Sequence, residues 1–255
     1  MRKSLFVKRI LVGSVGAMFA VHASAAGVII ACGDEWSLSN QAFVQNNAFT
    51  NTYALNVASA MMGGSGSILD ASVNSIAYDS TFETTMLGAG YSYTNDTTTP
   101  LTLAHLQSFD SVFLAGTLGA GDIPALSAYL AGGGNIYLAG GTGAFGTAAA
   151  EAAAWNPLLN LYGITMGNDW YAPPAAVDVT TDAGGHPIRV GVDKLTYGFG
   201  HNMTATGGAV VAISGGPELS ENIGLVATNA VPEPATMVAL GLGLAAIVRK
   251  RRQSK

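Results

Sequence analysis

Short apolar runs bounded by glycines or polar turns place the strongest constraint on the fold of this chain. The three clearest are 27–31, Ser111–Ala115 and Asn135–Ala139. Runs that are this short and continuously apolar are typical of strands buried on both faces of a sheet. The last two flank a predicted helix at 123–130, which Asp122 can cap and Pro124 can start, since proline suits the first helical turn. A strand, a helix and a second strand in this order form a βαβ unit with parallel strands.

The same alternation extends along most of the chain. Further helices are predicted at 41–62, 81–87, 101–109 and 147–161, and further strands at Ser67–Asp70, 91–94, 209–213 and 223–227. Pro157 is expected to bend or break the helix that contains it. We therefore predict an α/β domain over residues 27–227, with a mostly parallel sheet, helices on both faces, and a C-terminal β-hairpin at the sheet edge.

The first 26 residues have the features of a secretory signal peptide. A basic start containing Arg2, Lys3, Lys8 and Arg9 precedes an apolar stretch at 10–21. The small residues Ala23 and Ala25 form a cleavage site, with Ala26 completing a near equivalent. The mature chain is then expected to begin at Ala26 or Gly27, outside the cytoplasm.

The other end carries three features in a fixed order. Pro232, Glu233 and Pro234 form a rigid, extended triplet, because each proline restricts its own φ and the residue before it. An uncharged segment at 235–248 follows, and then the four bases Arg249, Lys250, Arg251 and Arg252. Fourteen residues make a helix of about 21 Å, which is shorter than a hydrocarbon core of about 30 Å.

This order of motif, apolar segment and basic stop resembles the PEP-CTERM sorting signal of Gram-negative bacteria. The resemblance implies an exported protein that passes through the secretion machinery and an inner-membrane intermediate. It also implies processing by an exosortase-type membrane protease, a final place at the cell surface or outside the cell, and an exopolysaccharide or biofilm setting. The alternatives are an ordinary C-terminal transmembrane helix and a buried core helix. Residues 228–231 are expected to be a linker, and 232–255 the sorting signal.

Charge divides the chain in the same way. Of 11 Lys and Arg residues, only Arg189 and Lys194 lie between the two terminal segments. Glu233 is the single one of the 16 acidic residues outside the body. Two bases against fifteen acids give the body a formal charge of −13, which disfavours nucleic acid as a partner. Such a surface either attracts Ca²⁺ or simply keeps the protein soluble.

The body is also similar to the class I glutamine amidotransferase-like group, which has a flavodoxin-like fold. The similarity rests on three segments, 109–115, 126–141 and the run from His186 to Leu195. The group's catalytic residues are missing, because the turn after the central strand at 139–143 has no cysteine and no His-x-Glu pair is present. Thr142 is a nucleophile in principle, but the sequence identifies no base near it. We expect no amidotransferase activity.

Two further motifs have competing interpretations. The run 141–146 matches the G-x-G-x-x-G pattern, yet it belongs to a late βα unit and has no acidic residue at the expected distance of about 20 residues. Turn and packing glycines are the plainer explanation. Cys32, the single cysteine, has three interpretations: the cysteine of a lipoprotein cleavage box, a catalytic thiol, or a small buried residue at the end of a strand.

The candidate ligand site is the turn after the first strand, with Asp34, Glu35, Trp36 and Asn40, to which His186 is added from a later loop. Acid, amide and indole groups at the carboxyl end of a strand suit a sugar or a Ca²⁺ ion. The local alternative makes Asp34 a turn or cap residue and packs Trp36 on the next helix. Trp155 and Trp170 are expected to be core residues.

Two functional hypotheses follow from different classes. In the first, the protein is an exported surface or matrix protein with a non-catalytic α/β domain that binds or scaffolds, without a resident metal or cofactor unless Ca²⁺ binds. In the second, it is an exported hydrolase acting on glycan or peptide, with Asp34, Glu35 and His186 as the acid/base set. The second hypothesis requires those three side chains to converge on one substrate.

Overall fold

The computed structural model describes residues 27–74, 77–119, 121–171, 176–180, 185–216 and 223–229. The predicted signal peptide, with Ala23, Ala25 and Ala26, lies outside these residues, as does the predicted sorting segment from Pro232 onward. Within the described ranges, no helix has the length and apolar character needed to cross a bilayer.

One half of the main sheet is parallel, as predicted. It contains β1 (Ile29–Cys32), β2 (Ser67–Asp70), β3 (Ser92–Asn95), β4 (Ser111–Ala115) and β5 (Asn135–Ala139), in the spatial order β3-β2-β4-β5-β1. β1, β4 and β5 are buried almost throughout, which explains their continuously apolar sequences. The mixed α/β class and the parallel pairing are therefore confirmed.

The strand order differs from the flavodoxin-like order that we predicted. In a flavodoxin-like sheet the order is 2-1-3-4-5, with the first strand inside the sheet. In this protein β1 lies beyond β5, at the end of the parallel half. If β2 is counted as the first strand and β1 as the fifth, the two orders coincide. The parallel half is thus a cyclic permutation of the predicted order.

The other half of the sheet is antiparallel. After β6 (Ile164–Tyr171), which lies outside the main sheet, the chain adds β7 (Ala176–Thr180), β8 (Lys194–Thr196), β9 (Gly200–Ala205), β10 (Ala209–Gly215) and β11 (Gly224–Asn229). The main sheet continues from β1 as β11-β10-β7-β8, while β6 and β9 form a separate ribbon. The β10–β11 hairpin is confirmed, but its predicted place at the sheet edge is wrong. β11 is buried along its length because β1 and β10 pair with it on either side.

Helices cover both faces of the sheet, as predicted. α1 (Asn40–Met62) and α2 (Ser80–Gly88) pack on one face. α3 (Leu103–Leu106), α4 (Asp122–Ala131) and α5 (Ala148–Leu159) pack on the other, together with the β6–β9 ribbon. Neighbouring residues of β1 alternate between the two layers, as the two-residue period of a strand requires.

Three local predictions about helices need correction. α1 kinks at Asn46, where φ is −133° and ψ is 44°, and the Asn46 amide donates to the Thr196 hydroxyl at 2.9 Å. Gly121, not Asp122, occupies the N-cap position of α4, and the Asp122 carboxylate accepts instead from the Gly119 N–H. α5 continues through Pro157 to Leu159, so the proline neither ends nor breaks the helix at its own position.

The first and last described residues of the domain, Gly27 and Asn229, are joined at the amino-terminal end of β1. Asn229, predicted as part of a linker together with Thr228, is the last residue of β11. Its side chain donates to the Gly27 carbonyl and accepts from the Ile29 N–H, both at 2.9 Å. The linker prediction is therefore wrong for Thr228 and Asn229, because pairing with β1 draws both residues into the sheet.

Replacing Asn229 by alanine should lower the free energy of unfolding by about 1–3 kcal/mol, because it leaves two backbone groups of the first strand without partners. Urea-induced unfolding measures the change. The matched control is Asn47→Ala, which removes only an exposed contact with Asn51 and should cost less than about 0.5 kcal/mol. Equal losses in the two variants would contradict the role assigned to Asn229.

Candidate functional site

Three segments meet tightly at the carboxyl ends of β1 and β5. They are the turn that starts at Gly33, the turn that starts at Gly140, and the loop 198–201 that leads into β9. A Cβ atom on Gly141 would lie 2.6 Å from the Phe199 carbonyl oxygen, and Gly141 has a φ of +74°. Glycine is required here because a side chain has no room and the backbone is left-handed. The first glycine of the G-x-G-x-x-G run is thus accounted for by packing.

Asp34 joins the first of these segments to the third. One carboxylate oxygen accepts the Trp36 N–H at 2.9 Å and caps the 3₁₀ turn Glu35–Leu38. The other accepts the Phe199 N–H at 2.9 Å and also the Gly198 N–H. Burial raises the pKa of Asp34 to about 6, against the lowering effect of these backbone donors and of nearby His201. Its carboxylate is occupied by three backbone groups.

Glu35 lies beside Asp34 but has a different environment. The side chain is 4% exposed, and its Oε2 atom has no hydrogen-bond partner among the described residues. Burial, together with the nearby carboxylates of Asp34 and Glu151, raises the pKa of Glu35 to about 8. At neutral pH Glu35 is therefore mainly a neutral carboxylic acid.

The other predicted site residues are held by other segments. Trp36 is half-buried and packs against Gly198, where an added Cβ would lie 3.3 Å from the indole ring. Asn40 connects α1 to α2 by accepting the Thr81 N–H at 3.1 Å. His186 accepts the Ile188 N–H at 3.3 Å and caps the 3₁₀ turn Pro187–Arg189.

That 3₁₀ turn is held against α1, where the Asn56 amide donates to the Ile188 carbonyl at 3.1 Å. The structure thus brings Asp34 and Glu35 together, while Asn40 and His186 are each fixed by a different segment.

Sequence reasoning missed two residues that lie at the centre of this region. Glu151, in the first turn of α5, and His201, in β9, are both fully buried, and Glu151 Oε2 lies 2.9 Å from His201 Nε2. The Thr142 hydroxyl donates to Glu151 Oε1 at 2.9 Å, and the Thr142 N–H donates to the same oxygen at 3.2 Å. A chain of hydroxyl, carboxylate and imidazole results, and it supplies the base near Thr142 that the sequence did not identify.

The hydrogen-bond partners restrict where the protons lie. His201 Nδ1 is 2.8 Å from the Gly167 carbonyl, which can only accept, so Nδ1 carries a proton. Nε2 faces both the Trp170 indole N–H at 3.1 Å and the Glu151 carboxyl group. The Trp170 indole can only donate, so it and the Glu151 carboxyl group compete for the same ring nitrogen. Thr142, Glu151 and His201 are thus linked by one continuous set of hydrogen bonds.

Cys32 is the last residue of β1 and is fully buried. Its thiol contacts the Ser37 hydroxyl at 3.3 Å and the Asp34 carbonyl at 3.4 Å. Burial raises the pKa of the thiol, so the reactive thiolate form is disfavoured. The interpretation of Cys32 as a small buried residue at a strand end is confirmed.

Comparison with known proteins identifies the C-terminal segment. A family model of the PEP-CTERM protein-sorting motif matches residues 230–252, which confirms the predicted sorting signal. The motif implies export to the cell surface through an inner-membrane step and processing by an exosortase, a membrane protease. No curated protein matches the chain. Within the described ranges, no group of three or more His, Cys, Asp or Glu side chains has the arrangement of a metal site.

The stability of the protein should fall as the pH rises from about 4.5 to about 8. In this range the unfolded state has lost the Glu35 proton, whereas the native state still holds it. The folded pKa of about 8 lies above the model value of 4.5, so the native state binds the proton more tightly between these values. Asp34 adds a smaller fall that ends near pH 6. Glu35→Gln should remove about 2 kcal/mol of the loss between pH 5 and 8, measured by urea unfolding. Glu83→Gln, at an exposed position in α2, is the control; an unchanged pH profile for Glu35→Gln would contradict the assignment.

Proposed function

We propose that this protein is an exported component of the Gram-negative cell surface or extracellular matrix, in an exopolysaccharide or biofilm setting. An exosortase-type protease processes its tail, and its α/β domain binds or scaffolds without catalysis. One observation carries the proposal: the PEP-CTERM match begins at residue 230, directly after Asn229, where β11 ends. The sorting motif thus follows the folded domain directly, with no spacer domain between them.

Chain length limits how far the domain lies from the membrane during sorting. Five residues, 230–234, separate Asn229 from the apolar segment that starts at 235, and the six Cα–Cα steps span about 20 Å at most. Gly27, which follows the predicted signal peptide, is hydrogen-bonded to the Asn229 side chain. The described residues next to the two membrane-directed segments, Gly27 and Asn229, therefore lie together at the amino-terminal ends of β1 and its parallel neighbours.

The chemistry at the carboxyl edge supports a non-catalytic role. Asp34 is occupied by backbone N–H groups, and the Cys32 thiol is buried at a strand end. The turn at 139–143, which the resemblance matches to the cysteine-bearing turn of the amidotransferase-like group, has no cysteine. The acid/base set of the hydrolase hypothesis is held by separate contacts, with Asp34 on the loop at 198–199 and His186 on its own 3₁₀ turn.

A hydrolase acting on glycan or peptide is the second candidate, and one observation favours it. The half-buried Thr142 hydroxyl donates to Glu151, which in turn contacts His201. This arrangement contains a nucleophile, a base and a proton relay. It differs from a catalytic triad because the carboxylate, not the imidazole, contacts the hydroxyl.

Replacing Pro232, Glu233 and Pro234 together by alanine should retain the protein in the inner-membrane fraction of the native host with its basic tail intact. Fractionation followed by mass spectrometry of the C-terminus detects this. The control is Gln253→Ala with Ser254→Ala, since both positions lie outside the matched residues. Release of the triple variant at the wild-type level would refute processing at this motif.

Thr142→Ala distinguishes the two candidate functions. If the domain is non-catalytic, the wild type and the variant should show the same background rates on peptide and glycan ester, amide and glycoside substrates. A wild-type rate that falls by about 10²-fold or more in Thr142→Ala would support the hydrolase instead. Thr84→Ala, which removes an exposed hydroxyl in α2, controls for a general effect of losing a threonine.

A further inference from the structure

Two adjoining cavities lie at the carboxyl ends of β2, β3 and β4, and they share Val73 and Thr97 on their walls. Their volumes are about 410 and 350 Å³, each within the range of small-molecule sites. We call the pair the switch cleft. It does not contain Asp34, Glu35, Thr142, Glu151 or His201 among its lining residues, so it is separate from the buried cluster described above.

The topology of the sheet explains why a cleft forms at this point. From β2 the chain passes outward to β3, and from β3 it returns across β2 to β4 on the other side. The connections after β2 and β4 therefore diverge and leave a gap between them. Such a reversal in an open parallel sheet is where ligands bind, outside the carboxyl ends of the strands.

The floor of the larger cavity is apolar and contains one unsatisfied donor. Ala71, Leu114 and Trp155 line it, and Trp155 is 1% exposed. The indole Nε1–H of Trp155 has no acceptor among the described residues. Because a buried donor without a partner is costly, an acceptor that reached this N–H from the cavity would be stabilised there. Val73, where the two cavities meet, is 53% exposed and offers an apolar surface beside this donor.

The rim of the larger cavity is rich in threonine hydroxyl groups, and a carboxylate holds the backbone of one of its loops. Thr97, Thr98 and Thr99 are exposed on the loop after β3, and Thr117 is exposed on the loop after β4. Asp96 Oδ1 accepts the N–H groups of Thr98 and Thr99, both at 3.0 Å, which fixes the first loop.

The smaller cavity adds a second carboxylate with hydroxyl and amide partners. Asp70 accepts from the Tyr93 hydroxyl and the Asn95 amide, both at 2.8 Å. The lining of the cleft thus combines an apolar floor with many neutral donors and acceptors.

The charged residues on the walls of the switch cleft restrict which ligands it can bind. Among the described residues, neither cavity has a lysine or arginine on its wall. Arg189 and Lys194, the two bases between the terminal segments, belong to the 3₁₀ turn Pro187–Arg189 and to β8, at the opposite end of the sheet. Phosphate and other anions would meet carboxylates with no counter-charge. A neutral, polyhydroxylated ligand with an apolar face matches this wall.

We propose that the switch cleft binds a neutral carbohydrate chain. The Trp155 N–H donates to a sugar oxygen, Val73 packs against the C–H face of a ring, and the threonine hydroxyls and remaining carboxylate oxygens bond to the sugar hydroxyls. The proposal rests on the binding role proposed above and gives that role a ligand class and a location.

The test is calorimetric titration of the full chain in a detergent without a sugar headgroup. The probes are neutral hexasaccharides of glucose, mannose, galactose and N-acetylglucosamine, with a hexagalacturonate and spermidine as charged comparisons. At least one neutral probe should bind with a Kd of about 1 mM or tighter. Val73→Arg, at an exposed position, should weaken that binding by about tenfold or more. Val44→Arg, at a valine that is 84% exposed in α1, should leave it unchanged.

Trp155→Phe keeps an aromatic ring and removes the donor, so it should weaken binding by about fivefold. Circular dichroism confirms that each variant is folded. Any of three results overturns the proposal: no neutral probe binds at about 10 mM, Val73→Arg binds as the wild type does, or only a charged probe binds. These results leave the sorting proposal intact, because processing at Pro232–Pro234 is measured on different residues and by a different method.

Discussion

The pairing of the first strand with the last is the interaction on which the rest of this structure depends. β1 pairs in parallel with β5 and antiparallel with β11, so it joins the two halves of the nine-stranded sheet. The Thr228 hydroxyl donates to the Ile29 carbonyl at 2.8 Å, which adds a side-chain link to the ladder. The domain therefore needs the chain up to Asn229, and the sorting motif at 230–252 begins where this need ends. The folded domain and the sorting motif are therefore adjacent in sequence but do not overlap.

The same pairing determines which edge of the domain is available for function. Gly27 and Asn229 lie at the amino-terminal edge of the parallel strands, whereas the loops after β2, β4 and β5 lie at the opposite edge. That opposite edge contains two regions of different character. Around Asp34, Glu35, Glu151 and His201 the polar groups are buried and mostly bonded to one another or to the backbone. At the switch cleft they are exposed and surround a cavity. The burial of the first region suits it to stabilising the fold, whereas the exposure of the second suits it to the binding role proposed above.

Much of the fold could be predicted because its signals are local. β2, β4 and β5 have the predicted bounds, since polar or glycine-rich turns bracket each apolar run. The helix predicted from residue 147 begins one residue later, at Ala148, because the Thr147 hydroxyl is its N-cap. The central position of β11 could not be predicted, because its partner β1 lies about 200 residues away and no local pattern records that pairing. The β6–β9 ribbon was missed for the same reason.

The candidate site shows the same limit more sharply. Sequence reasoning found Asp34 and Glu35 because acids directly after a buried strand are conspicuous, but it could not tell a carboxylate that holds backbone N–H groups from one that holds a ligand. It missed Glu151 and His201, which are 50 residues apart and meet only in the folded protein. The switch cleft depends on the direction in which the chain turns after β2 and β3. Strand order alone reveals it.

Mass spectrometry of both termini of the wild-type protein, purified separately from the envelope and the culture medium of its native host, tests the central claim most directly. The account predicts a start at Ala26 or Gly27 and an end at or near Pro232–Pro234, which leaves an acidic domain closed by the β1–β11 pair and lacking the basic tail. A protein confined to the membrane fraction with Arg249–Lys255 intact would contradict it, because the C-terminal segment would then be a permanent anchor.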